Sequence, residues 1–114
     1  MAIGLDNAIS TSIYKQHYSS MLRLVTLRWH LIFKGQVQGV GFRWHICKLA
    51  QRLHVRGWVR NLSNGDVEAE VEGEARALDK LILESKTGLP LAQIKSIEKI
   101  ELKPSGETGA FSIS

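Results

Sequence analysis

The chain has 114 residues, 44% of them hydrophobic, which suits one small domain around a single core and is short for two. Fifteen lysines and arginines against eleven carboxylates give a formal charge of +4, enough for a small anionic ligand and well short of a nucleic-acid-binding arm. The one cysteine, Cys47, excludes an internal disulfide and a cysteine metal site, and no apolar run approaches the ~20 residues that cross a bilayer, so a reducing, cytoplasmic location without membrane attachment is expected.

Residues 1–24 lack the basic start and unbroken apolar centre of a secretory signal, and are expected to form an N-terminal extension ahead of a domain over 25–114. From Leu27 the pattern becomes strand-like, with Leu27, Trp29, Leu31 and Phe33 alternating against Arg28, His30 and Lys34. After the run GQVQGVGFR, Gly35 to Arg43, the residues Phe42, Ile46, Leu49, Ala50 and Leu53 fall on one helical face. Val55–Asn61 and Asp66–Glu72 each alternate, and Asn64-Gly65 between them predicts a tight hairpin turn with positive backbone φ. A second helix is expected through Ala75, Leu78, Leu81, Ile82 and Ser85, with Gly88 as its cap and Pro90 beyond. Ile100 and Leu102 alternate while Ile94 and Ile97 stand three apart, so Ile94–Leu102 reads as a strand with a bulge, and FSIS, 111–114, as an edge strand. The order β-α-β-β-α-β is that of an α+β, ferredoxin-like sandwich with two helices on one face of an antiparallel sheet.

The glycine run stands at the start of the first helix, where several N–H groups lack intrahelical partners and the dipole is positive. Gly39 and Gly41 would let successive N–H groups converge on one anion, although on glycine content alone a turn needing positive φ is the more economical account. Arg43 bears on the choice. A cation in the first turn opposes the dipole by about 0.3–1 kcal/mol, and an oxyanion between the guanidinium and the turn would turn that repulsion into attraction. A guanidinium leaning away to an acidic residue or water remains the other reading.

GQVQGVGFR (35–43), GWVRN (57–61) and GDVEAEVEG (65–73) resemble the two signatures of the acylphosphatase family, and the likeness spans about Trp29 to Ile113. GLPLAQI, 88–94, is similar to that family's link from second helix to fourth strand. Two departures are Phe33, where a smaller aliphatic is usual, and Leu62, where threonine is frequent. The resemblance implies hydrolysis of carboxyl-phosphate anhydrides with no metal or other cofactor. It assigns the phosphoryl group to Arg43 and the attacking water to Asn61. The expected backbone cradle is Gln38, Gly39, Val40, Gly41 and Phe42. The implied ligand is a small acyl phosphate, with inorganic phosphate or sulfate able to occupy the site of a monomer. For Arg43 and Asn61 to reach one phosphate, the first and second strands are expected to pair.

A nucleic-acid-binding module of the same strand order is the rival, but RGWVRN lacks the aromatic positions that should follow, and the third strand offers acid where RNA wants base. His30, His45 and His54 have no ligand spacing and are expected to face solvent. Glu68, Glu70 and Glu72 are expected on a solvated face opposite Arg56 and Arg60, with Trp58 stacked beneath an arginine stem, and Cys47 at the edge of the helix interface.

Overall fold

The computed structural model describes residues 25–114, so the expected extension, 1–24, lies outside the described residues. The elements are β1 (Thr26–Gln36), α1 (Phe42–Arg52), β2 (Arg56–Asn61), β3 (Val67–Glu74), α2 (Ala75–Ser85), β4 (Gln93–Leu102) and β5 (Ser112–Ile113). They form one five-stranded sheet in the order β4-β1-β3-β2-β5. Strand alternation sends Trp29, Leu31 and Phe33 of β1, Val59 of β2, and Val67, Ala69 and Val71 of β3 to one face. There they meet Phe42, Ile46, Leu49 and Ala50 of α1 and Leu78 and Leu81 of α2 in one core.

β1 and β2 do not pair, contrary to expectation; β3 lies between them, antiparallel to both. Two antiparallel steps leave β1 and β2 running the same way, so their ends lie at one edge of the sandwich. Phe33, Val67 and Asn61 stand in line across the three strands. Asn61 is therefore about 10 Å from Phe33, near the end of β1, a gap that the following turn must cross.

The bulge expected in β4 is present. Lys34 pairs with Ser96 and Gly35 with Ile94, leaving Lys95 unmatched, which is why Ile94 and Ile97 both pack against the core although three apart. Only glycine fits opposite it: a Cβ on Gly35 would overlap the Gln93 carbonyl oxygen and lie 2.8 Å from the Lys95 nitrogen. The sheet is mixed, since the short β5 pairs with β2 in parallel. The long connection from β4 brings the chain to the far edge pointing along β2. At the hairpin, Leu62 N–H donates to Asp66 O at 2.8 Å and Gly65 N–H to Leu62 O at 3.2 Å. Gly65 has φ of 97°, while Asn64 is absent from the positive-φ residues. The loop is thus three residues with one left-handed glycine, and Asn64 serves instead by accepting the Asp66 N–H on its side-chain oxygen at 3.0 Å.

On the other face of the sheet the expectation of solvated carboxylates fails for Glu72, which is 4% exposed. Arg28 of β1, itself buried, donates to Glu70 at 2.8 Å and to Glu72 at 3.0 Å. The segment after β4 closes over them, with Ser105 and Gly106 N–H donating to the Glu72 carboxylate at 2.7 and 2.8 Å. Alternation alone could not reveal this lid, because it arrives from 33 residues downstream. Trp58 does stack as expected, with the Arg60 guanidinium 5.1 Å from its ring centroid.

Burial alone would push the Glu72 carboxyl up; the Ser105 N–H, the Arg28 guanidinium, the Gly106 N–H and the Ser105 hydroxyl together bring it down from 4.5 to about 2. A depressed carboxylate contributes stability that is whole above its ordinary value and is lost as pH falls through 4.5 toward about 2. Melting temperature should accordingly fall over that window. Glu72→Gln should cost about 1–3 kcal/mol near neutral pH by leaving buried donors mismatched, and should flatten the acid limb. Parallel pH curves for the two proteins in thermal melts would contradict this.

Candidate active site

Between β1 and α1 the chain is pinned from inside by Val37, 1% exposed, and by Val40, half-buried against the core. Gly39 and Gly41 have φ of 74° and 82°, whereas Val40 between them does not share the positive region. A Cβ on either glycine would meet open space, so backbone conformation and not crowding calls for glycine here. Alternating signs of φ along 39–41 turn neighbouring N–H groups toward one side, the arrangement that forms an anion nest. The first intrahelical bond of α1 runs from His45 N–H to Gly41 O at 3.0 Å. The N–H groups of Phe42, Arg43 and Trp44 precede it and have no acceptor within the helix. The helix has neither a capping side chain nor an acidic residue in its first turn. The positive end of its dipole is open toward the turn.

Phe42 locks this corner. Its ring, 1% exposed, meets Phe33 edge-on with centroids 5.0 Å apart at 68°. Phe33, a departure from the usual smaller aliphatic, thus seats the residue just before Arg43. Arg43 itself is half-buried at the side of α1 nearest β5, and its Nη1 donates to the backbone oxygen of Ser114 at 3.2 Å. Ser114 is held in turn by donating its N–H to Val59 O at 2.8 Å. The guanidinium therefore pairs with the Ser114 oxygen and, among the described residues, with no aspartate or glutamate side chain.

Asn61 ends β2 two residues after Val59, which is fully buried on the helix side of the sheet. Alternation places the Asn61 side chain on that same side, at the exposed end of the strand. Arg43 and Asn61 thus share one face and one end of the sandwich. The bridge between their segments is the side chain of Gln38, whose Nε2 donates to Leu62 O at 2.7 Å and to Asp66 O at 2.8 Å. The residues singled out in the sequence, Gln38 through Arg43 and Asn61, stand at one end of the sandwich, and only Gln38 is seen to bridge the two segments, through Leu62 and Asp66. What sequence reading missed was the Gln38 side chain, considered only for its backbone, and Ser114; neither could be found from pattern, because in both cases the acceptor is a main-chain oxygen.

The sequence model of the acylphosphatase family matches residues 29–113. The chain belongs to the acylphosphatase family. An acylphosphatase of Anaeromyxobacter dehalogenans (strain 2CP-C) is 44% identical over 87 residues, covering 76% of this chain and 94% of the relative. An acylphosphatase of Thermococcus kodakarensis is 45% identical over 83 residues, covering 73% and 91% respectively. Among solved structures, the crystal structure of acylphosphatase from Bacillus subtilis superposes with a TM-score of 0.73 at 34% identity, covering 77% of this chain and 98% of that one. The ferredoxin-like order is therefore that of an acylphosphatase fold.

The histidines are not all in solvent. His30 Nε2 lies 2.7 Å from Glu68 Oε2 on the sheet's other face, and His54 is exposed with φ of 57°. His45 departs from expectation: its Nε2 is buried without a hydrogen-bond partner among the described residues, beside Gly88. The pull of its neighbours Phe42 and Ile46 into the core carries this ring inward. Cys47 is buried at the helix edge as expected, its Sγ 3.7 Å from Phe111 O. No helix among the described residues is long and apolar enough to cross a membrane.

Proposed function

We propose that the backbone N–H groups of Gln38, Gly39, Val40, Gly41 and Phe42, with the Arg43 guanidinium, hold the phosphoryl group of an acyl phosphate while Asn61 orients the attacking water. The observation that carries this is the meeting of an uncapped helix start, two left-handed glycines and Arg43 with Asn61 on the same face. Phosphoryl transfer through a loose transition state asks mainly for positioning and for charge stabilisation on the equatorial oxygens, which a guanidinium and a ring of N–H donors supply. The P–O bond breaks toward a carboxylate, whose conjugate acid has a pKa of about 4, so departure at neutral pH needs no general acid and no metal. A phosphate monoester would expel a far more basic alkoxide, and this site has nothing to protonate it. The Asn61 carboxamide has an acceptor for a water proton and donors for a phosphoryl oxygen, but it cannot act as base; the water's proton passes to a substrate oxygen.

The catalytic unit is residues 25–114, with 1–24 an extension; the family match over 29–113 supports the division. The functional form is a monomer, and the single buried cysteine suits a cytoplasmic setting. The test is hydrolysis of benzoyl phosphate and of p-nitrophenyl phosphate with excess chelator present. Turnover of the first should be undiminished by chelator, the second should be left intact, and inorganic phosphate or sulfate should compete. Loss of benzoyl phosphate turnover on chelation would refute the proposal.

A further inference from the structure

We infer that the side-chain amide of Gln38 is the positioning residue that keeps Asn61 facing the phosphate turn. The inference rests on the roles proposed above for Arg43 and Asn61. The turn and Asn61 belong to segments with no direct pairing, since β3 separates β1 from β2. Asn61 is the last paired residue of β2, and the chain beyond it immediately becomes the three-residue loop. A strand end next to a loop is where a sheet frays most readily, and a water-orienting group tolerates little fraying. Leu62, next in the chain, brings no hydroxyl to steady the carboxamide.

Gln38 closes this gap from the other segment. Both of its partners, Leu62 O and Asp66 O, are acceptors, so the nitrogen of the amide and not its oxygen must face them, which settles the orientation of the group. Those two carbonyls are the two sides of the loop's base, already joined by the Leu62 N–H to Asp66 O bond. One NH₂ thereby spans the mouth of the hairpin and spends both hydrogens there. Gln38 is itself fixed at the root of the nest, between buried Val37 and left-handed Gly39. A displacement of the loop would have to break two short hydrogen bonds to a rigid part of the phosphate site. The amide therefore sets the distance between the group that holds phosphate and the group that aims water.

Gln38→Met, of similar length and without donors, tests this in the wild-type and Asn61→Ala backgrounds, with benzoyl phosphate as substrate and inorganic phosphate as competitive inhibitor. Misplacement of a reacting group by about 1 Å costs on the order of 10²-fold, so kcat should fall about 10- to 100-fold with the phosphate inhibition constant nearly unchanged. In the Asn61→Ala background the same substitution should change kcat less than about twofold, because no aimed group remains to be misplaced. Equal losses in both backgrounds, or an inhibition constant that rises in step with the loss of kcat, would show that Gln38 merely shapes the turn and would overturn the inference. Unimpaired kcat in Gln38→Met alone, beside an inactive Asn61→Ala protein, would overturn it while leaving the proposed reaction standing. A fully active Asn61→Ala protein would remove the role of Asn61 and the inference with it. If Gln38→Met melts below the assay temperature, Gln38→Asn, neutral and too short for its amide to span both carbonyls, goes through the same cycle and is judged by the same outcomes.

Discussion

Arg43→Ala should lower kcat for benzoyl phosphate by about 10³-fold or more, since a guanidinium acting on transition-state charge in phosphoryl transfer is worth about 10³–10⁵ and a single preorganised donor about 10²–10³. Arg43→Lys should recover only part of this. An ammonium restores the charge but not the planar fork that can engage two phosphoryl oxygens at once. The stability change should have the opposite sign. Arg43 is half-buried, contributes nothing to the hydrophobic core, and places a cation in the first turn of α1, against the dipole. Its removal relieves about 0.3–1 kcal/mol of repulsion, offset by loss of the bond to Ser114 O. The alanine protein should therefore melt at or slightly above the wild type while being nearly inactive. An Arg43→Ala protein with full turnover would end the assignment, and one that melts many degrees lower would show the guanidinium to be a structural tie.

Asn61→Ala should reduce kcat by about 10²–10³-fold, with a much smaller change in the inhibition constant for inorganic phosphate. The split follows from geometry. Asn61 comes from a strand that contributes no N–H to the nest, and it lies across β3 from the end of β1. Its exposed position at the tip of β2 makes the truncation cheap for the fold. Asn61→Asp is the sharper variant: it preserves shape and puts a carboxylate next to the phosphoryl dianion, so phosphate inhibition should weaken along with kcat. Steady-state kinetics on the two variants, with phosphate as inhibitor, decides the matter. Equal losses in kcat and phosphate affinity for Asn61→Ala would assign the residue to binding and not to the water.

Element types were legible because each carried its own period: Trp29, Leu31 and Phe33 for a strand, Phe42, Ile46 and Leu49 for a helix. Even the bulge in β4 was readable, since two isoleucines three apart can share a face only if one residue is extruded. Order across the sheet was not legible. The pairing expected between β1 and β2 was a local inference, and insertion of β3 between them is a tertiary choice that no short window records. Glu72 was misplaced for the same reason: its period is that of an outward-facing residue, and the Ser105–Gly106 cover comes from a segment without a pattern of its own. The candidate site was indicated in the sequence by Arg43 and Asn61, through their motif positions and because arginine at a helix start is locally unfavourable. Its two ties, at Gln38 and Ser114, were hidden in main-chain acceptors, which every residue possesses.

The hold on the guanidinium by Ser114 reaches across 71 positions of the chain. It depends on a strand of two residues resting on β2. Contacts so distant in sequence and so small in extent close late in folding and open early, because the entropy of loop closure weighs heavily against so few bonds. Lifting of that short strand would release the arginine while the four longer strands keep their pairing. The hold on Arg43 can therefore be lost at far lower cost than any global event that a melting curve records.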